Sequence, residues 1–185
     1  MKTTLFLLST LLLFSCSSDD NESNNESNNE SNNESNNEQI TETFQFFESA
    51  SINVPEIPEE DSDEFFFFQT SIDTGENIVF DYNLRDNGDP GIDDSIFSEN
   101  IHFEIDPSLT EFSFSNNELE TVNTYYRQSC FCGNVRSNLV NTGVISGTKI
   151  NNNTWRINID INVDLSDFFD PINVQVLDTE FLIQE

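Results

Sequence analysis

"WRINIDINVDL", residues 155–165, places Trp155, Ile157, Ile159, Ile161, Val163 and Leu165 at every second position and fills the gaps with Arg156, Asn158, Asp160, Asn162 and Asp164. Successive side chains of a strand point to opposite faces, so this alternation predicts a strand with one buried and one wet face. Upstream, "GVISGTKI" (143–150) is joined to it by "NNN" (151–153). Asparagine tolerates left-handed geometry, which predicts an antiparallel hairpin at that point. "NIVFDYNL", "NIHFEID", "EFSFS" and "INVQVLDTEFLIQ" repeat the pattern, with Ile101, Phe103 and Ile105 sharing one face of the second. His102, the single histidine, then falls on the polar side and reads as a surface strand residue rather than a catalytic base. Only "NNELETVNTYYRQ" is ambiguous between strand and short helix. Short strands separated by polar turns predict an all-β fold, a single antiparallel β-sandwich or barrel-like domain over 64–185.

Upstream of that body, 40–63 reads as an acidic linker in which "TFQFFESASINV" is a possible first strand, broken by Pro55, Pro58 and a run of acids. "FFFF" at 65–68 reads as a strand buried on both faces or at a sheet rim, with Asp61, Asp63 and Glu64 as charge gatekeepers. An exposed aromatic ledge for a sugar or peptide is the alternative. Before Gln39 the chain repeats "ESNN" four times without an apolar residue. Such a segment buries nothing to offset its ordering entropy, so 16–39 is expected to be a disordered tether. As a coil it would span about 25–30 Å on average and up to ~80 Å when stretched.

The first fifteen residues read as an export signal: Lys2 supplies the positive end, 5–14 the apolar run, and a small residue precedes Cys16. The run is about half the ~20 residues needed to cross a bilayer as a helix. "LFSC" resembles the lipobox of bacterial lipoproteins, with Phe14 as its one departure, where a smaller residue is commoner. The resemblance implies that the chain is cut before Cys16 and that this cysteine carries lipid. Each buried methylene contributes about 0.8 kcal/mol, so two or more acyl chains hold a protein stably on a membrane. "SSDDNE", directly after it, resembles the acidic export signal of Bacteroidota surface lipoproteins and implies an outer-membrane anchor with the body at the cell surface.

Six lysines and arginines stand against 35 acids, a net charge of −29. Nucleic acid is bound through lysine and arginine on its phosphates, so it is excluded as a partner. The same field attracts cations and cationic partners, or serves simply as a solubilising surface. "RDNGDPGIDDS" (85–95) gathers Asp86, Asp89, Asp93 and Asp94 around two glycines and a proline. Calcium takes six to eight oxygens in flexible geometry, which such a loop can supply, although the spacing fails the EF-hand pattern. A solvated turn is the competing reading. Within the loop, "DSI" resembles the short acceptor for O-linked glycans in Bacteroidota, which would make Ser95 the attachment point.

Cys130 and Cys132 sit two apart in "QSCFCGN". On an extended strand their α-carbons would lie about 6.5–7 Å apart, the outer limit for a disulfide, so a bridge requires a local bend that Gly133 helps to provide. Outside the cytosol oxidation is the default, and a small structural disulfide competes with free buried thiols and with a redox or soft-metal site. Zinc is poorly served, since it normally needs four ligands. "YYRQSCFCGN" followed by "GVISGTKINNNTW" resembles a family of small Bacteroidota lipoproteins bearing a Cys-Phe-Cys motif. That resemblance implies that the cysteine pair and the hairpin belong to one domain; it implies no activity. No Ser-His-Asp spacing or metal motif is present, so the chain reads as a non-enzymatic binding or structural module for a protein or glycan ligand. A thiol-redox or soft-metal protein and a calcium-stabilised adhesion-like module are the alternatives.

Overall fold

The structure, a computed structural model, describes residues 40–55, 69–89, 91–92, 95–130, 137–165 and 170–184. All of them belong to one compact unit, Asn36–Glu185. The protein is all-β, as the alternation requires. Its strands are β1 (Ile40–Asn53), β2 (Ser71–Thr74), β3 (Asn77–Asp86), β4 (Phe97–Ile105), β5 (Glu111–Ser115), β6 (Tyr125–Ser129), β7 (Ser137–Leu139), β8 (Gly143–Asn151), β9 (Thr154–Val163) and β10 (Ile172–Ile183). Among the described residues one helical turn, α1 (Glu118–Thr121), precedes β6, so the ambiguous segment is helix first and strand second. No described helix is long and apolar enough to cross a membrane.

The strands form one sheet in the order β5-β8-β9-β10-β1-β3-β4-β6-β7, with β2 also paired to β1. Every pairing is antiparallel except β1 with β10, which touch in parallel only at Gln45↔Leu182 and Phe46↔Ile183. The sheet curls about this junction into a half-barrel and packs its two flanks together. Phe80 on β3 and Phe103 on β4 stack at 4.7 Å, and across the interior Phe80 meets the ring of Trp155 on β9 edge-on at 5.6 Å. Phe112 on β5 lies 6.0 Å from both phenylalanines. Trp155, Ile157, Ile159, Ile161 and Val163 are buried while their alternates face out. Gly147 on β8 makes this closeness possible, because a Cβ there would lie 2.5 Å from Ile157 and 2.6 Å from the Phe112 ring.

The first strand expected in "TFQFFESASINV" forms, over Ile40–Asn53. It is a fourteen-residue strand at the centre of the sheet, and the body therefore reaches back to Ile40. β2 and β3 run consecutively along it, with an irregularity between Phe47 and Ala50 where Ser49 takes φ 54°. A matching bulge in β10 between Val176 and Thr179 puts Asp178 at φ 52°, and the Asn158 side chain accepts its N–H at 2.8 Å. The β8–β9 hairpin forms as expected, by a different device. None of its asparagines has positive φ; instead the Asn151 carboxamide accepts the Asn153 N–H at 2.8 Å.

β4 departs from its sequence reading. Asn100 to Ile105 are buried on both faces, because a second, smaller apolar cluster of Ala50, Ile52 and Val79 covers the outer side together with Thr70 and Ser137. His102 is accordingly buried at 8 % exposure and is not a surface residue.

Candidate functional site

Two polar constellations lie on the β1-β3-β4-β6 flank, one on each face. The inner one follows directly from strand register. Phe44, Tyr82, Ile101 and Tyr126 form one cross-strand row, and Glu42, Leu84, Glu99 and Gln128 form the next row toward the sheet end. The first row is the rim of the core and the second opens to solvent, so the phenols reach upward to the acids. The Tyr82 hydroxyl donates to Glu42 Oε1 at 3.2 Å, and that of Tyr126 donates to Glu99 Oε2 at 2.9 Å. Phe44 stacks on Tyr82 at 5.3 Å. Glu42 is exposed and Glu99 half-buried.

Burial pushes the Glu99 carboxyl above the usual range; the Tyr126 hydroxyl opposes this, and the nearby Glu42 charge adds to it. Both phenols are driven well above the ordinary tyrosine range, by burial first and then by the Glu99 charge. Neither carboxylate has a lysine or arginine in hydrogen-bond or ion-pair reach among the described residues. The rim therefore presents two acids braced by phenols and neutralised by no base among the described residues.

The outer constellation is centred on His102. Asp81 faces it across the β3–β4 ladder, with Oδ1 3.3 Å from Nε2, while Nδ1 lies 3.1 Å from the Thr70 hydroxyl. The Thr70 N–H donates to Ser137 Oγ at 3.0 Å, the two hydroxyls are 3.3 Å apart, and Asn100 donates to Asp81 at 2.6 Å. Ser137, Thr70, His102 and Asp81 thus form one continuous chain of polar contacts running from β7 to β3. Nearby, the buried Glu104 carboxylate accepts the Ile52 N–H at 3.0 Å and the Asn123 side chain at 2.6 Å. The Asp-His-hydroxyl order is that of a nucleophile relay, yet here it fastens Thr70 and β7 onto β4. The backbone N–H of Thr70 is consumed by Ser137, so that amide cannot also stabilise an oxyanion.

A third feature is a shallow polar groove of about 490 Å³ on the outer face of β5, β8 and β9, where Arg156 and Glu111 flank Ser146. Arg156 is already engaged by Glu180 at 3.1 Å and Asp178 at 3.4 Å.

Of the residues singled out in the sequence, Cys130 is disulfide-bonded, while Cys132, Cys16 and "FFFF" lie outside the described residues. Asp86 and Asp89 turn their carboxylates back on the loop, accepting the N–H groups of Gly88 and Gly91 at 2.9 Å each. Asp93 and Asp94 lie outside the described residues, among which no three acids, cysteines or histidines are grouped to hold a metal ion. The Ser95 hydroxyl donates to the Ile92 carbonyl at 2.8 Å. Sequence reasoning missed Glu42, Tyr82, Glu99 and Tyr126. Each acid stands two residues from an apolar residue on the same face, Glu42 from Phe44 and Glu99 from Ile101, but only the strand pairing brings the four together. No family model, curated protein or solved structure matches this chain.

Proposed function

We propose that this chain is an exported lipoprotein, anchored at the outer membrane through Cys16 and displayed at the cell surface, whose acidic β domain binds a cationic partner without catalysing a reaction. The observation that carries the binding reading is the rim: Glu42 and Glu99 flank the Tyr82 hydroxyl with no base among their described partners. A cation placed between them relieves their mutual repulsion and meets the Phe44–Tyr82 stack, whose ring faces favour positive charge. The net charge of −29 draws such a partner in. The lipobox and the acids that follow Cys16 support the anchor and the surface location. With Cys130 in a disulfide, a soft-metal site on that sulfur is not favoured in this state.

The rim is tested by titrating the chain with spermidine in a calorimeter. Heat of binding that weakens with salt and is lost in the Glu42→Gln/Glu99→Gln double variant supports the reading; equal binding by that variant overturns it. Protease treatment of intact cells tests the display, and a body untouched until the cells are lysed would place it inside.

A further inference from the structure

Among the described residues, the parallel junction leaves most of β10 without a strand on one side. β9 fixes which of its groups point there: the Asn162 N–H bonds the Thr142 carbonyl on the β8 side at 3.0 Å, so Ile161 and Val163 send their backbone groups toward β10. Their partners Val174 and Ile172 answer them. Asn173 and Gln175 therefore turn their N–H and C=O groups the other way, to the edge that β1 uses further along. There, beyond the bulge, the Gln184 N–H bonds the Phe46 carbonyl at 2.8 Å. Pairing with β1 is confined to Leu182 and Ile183, and no described strand or backbone group meets Asn173 or Gln175 on that side. An edge of this kind is a template for another strand.

We infer that the open edge of β10 at Asn173 and Gln175 takes an extended segment of a basic partner protein by strand addition. Charge selects the occupant. β9 and β10 carry one base, Arg156, and Asp178 and Glu180 both hold it. Asp160, beside Gln175 in the ladder, and exposed Asp170 have no base among their described partners. A second copy of this chain would bring another net charge of −29 to the edge, which opposes self-pairing. A lysine-bearing strand meets both requirements at once, main-chain hydrogen bonds on Asn173 and Gln175 and neutralisation of the acids beside them. Only the choice of a basic partner rests on the cationic reading above; the edge rests on register.

The probe is an eight-residue, end-capped peptide alternating lysine and threonine, titrated into the full chain while amide hydrogen exchange is followed. Binding should slow exchange at Asn173 and Gln175. Gln175→Pro removes an N–H that no described strand uses and should weaken binding about tenfold, whereas Gln175→Thr keeps the N–H and should leave it unchanged. The same peptide N-methylated at alternate residues has equal charge and a blocked edge, and needs no variant to fold. If it binds as tightly as its parent, strand addition is wrong while the cationic reading survives. If a glutamate–threonine peptide binds equally well and still depends on the Gln175 N–H, the basic partner at this edge is wrong, while the rim is judged separately by its spermidine titration. Protection of these amides before any peptide is added also overturns the proposal, because the edge is then already occupied by this chain or by a second copy.

Discussion

Phe80→Ala should be the most damaging single truncation in the interior. Phe80 is fully buried and touches five other rings: Phe46, Phe103, Phe112, Trp155 and Phe181. Those rings come from both flanks of the curled sheet, so the residue is the clamp across the fold. Removing a buried phenylalanine side chain costs about 3–5 kcal/mol, the upper end where rigid neighbours cannot collapse into the space. Rings held by strands on opposite flanks are such neighbours. Against a total stability of about 5–15 kcal/mol, a third or more would be lost. At about 2–4 °C per kcal/mol for a chain of this size, a 4 kcal/mol loss lowers the melting temperature by about 8–16 °C. The assay is built in, because the only tryptophan, Trp155, sits edge-on to Phe80 and reports unfolding by its fluorescence. Urea and thermal melts of Phe80→Ala should shift together, with Phe47→Ala, half-buried in the smaller outer cluster, shifting less. A fall of less than about 3 °C for Phe80→Ala would refute the claim that this ring joins the two flanks.

Glu99→Gln should stabilise the protein at neutral pH. Because the folded carboxyl titrates above its ordinary 4.5, folding disfavours its charged form, and stability is lost as pH rises from about 4.5 through the folded value. The glutamine advantage should therefore be largest above that window and shrink as pH falls toward 4.5; a constant difference from pH 4 to 8 would contradict the raised value. His102→Leu removes the imidazole partner of the buried Thr70 hydroxyl and should cost about 1–3 kcal/mol in urea melts. A loss within about 0.5 kcal/mol would mean that His102 behaves as a surface residue. Gly147→Ala forces a methyl against Ile157 and Phe112 and should cost about 1–3 kcal/mol in the same melts. An unchanged midpoint would show that the ring has room to move.

Much of the strand content was legible because alternation is a local property. "WRINIDINVDL", "EFSFS" and "GVISGTKI" each became a strand near the expected bounds, and the interior of β9 is the row of residues read from its period of two. β4 shows where that logic ends. Its alternation marks Ile101, Phe103 and Ile105 as buried, but cannot reveal that Thr70, Ser137 and the Ala50–Ile52–Val79 cluster cover the opposite face. His102 was misplaced for that reason. The rim was hidden in the same way, since Glu42 and Glu99 become neighbours only through Leu84 on the strand between them.

By itself, then, the sequence determined a β-rich, strongly acidic body and the identity of its main inner faces, because period and charge are carried by adjacent residues. Tertiary structure alone decided that β1 lies at the centre of the sheet, that a two-residue parallel contact joins its flanks, that acids and phenols meet at the rim, and that Asn173 and Gln175 turn their backbone groups to a side of β10 where no described strand pairs with them. Each of these depends on which distant strands pair and in what register. A one-residue slip reverses every face, and no local pattern encodes the partner across the ladder.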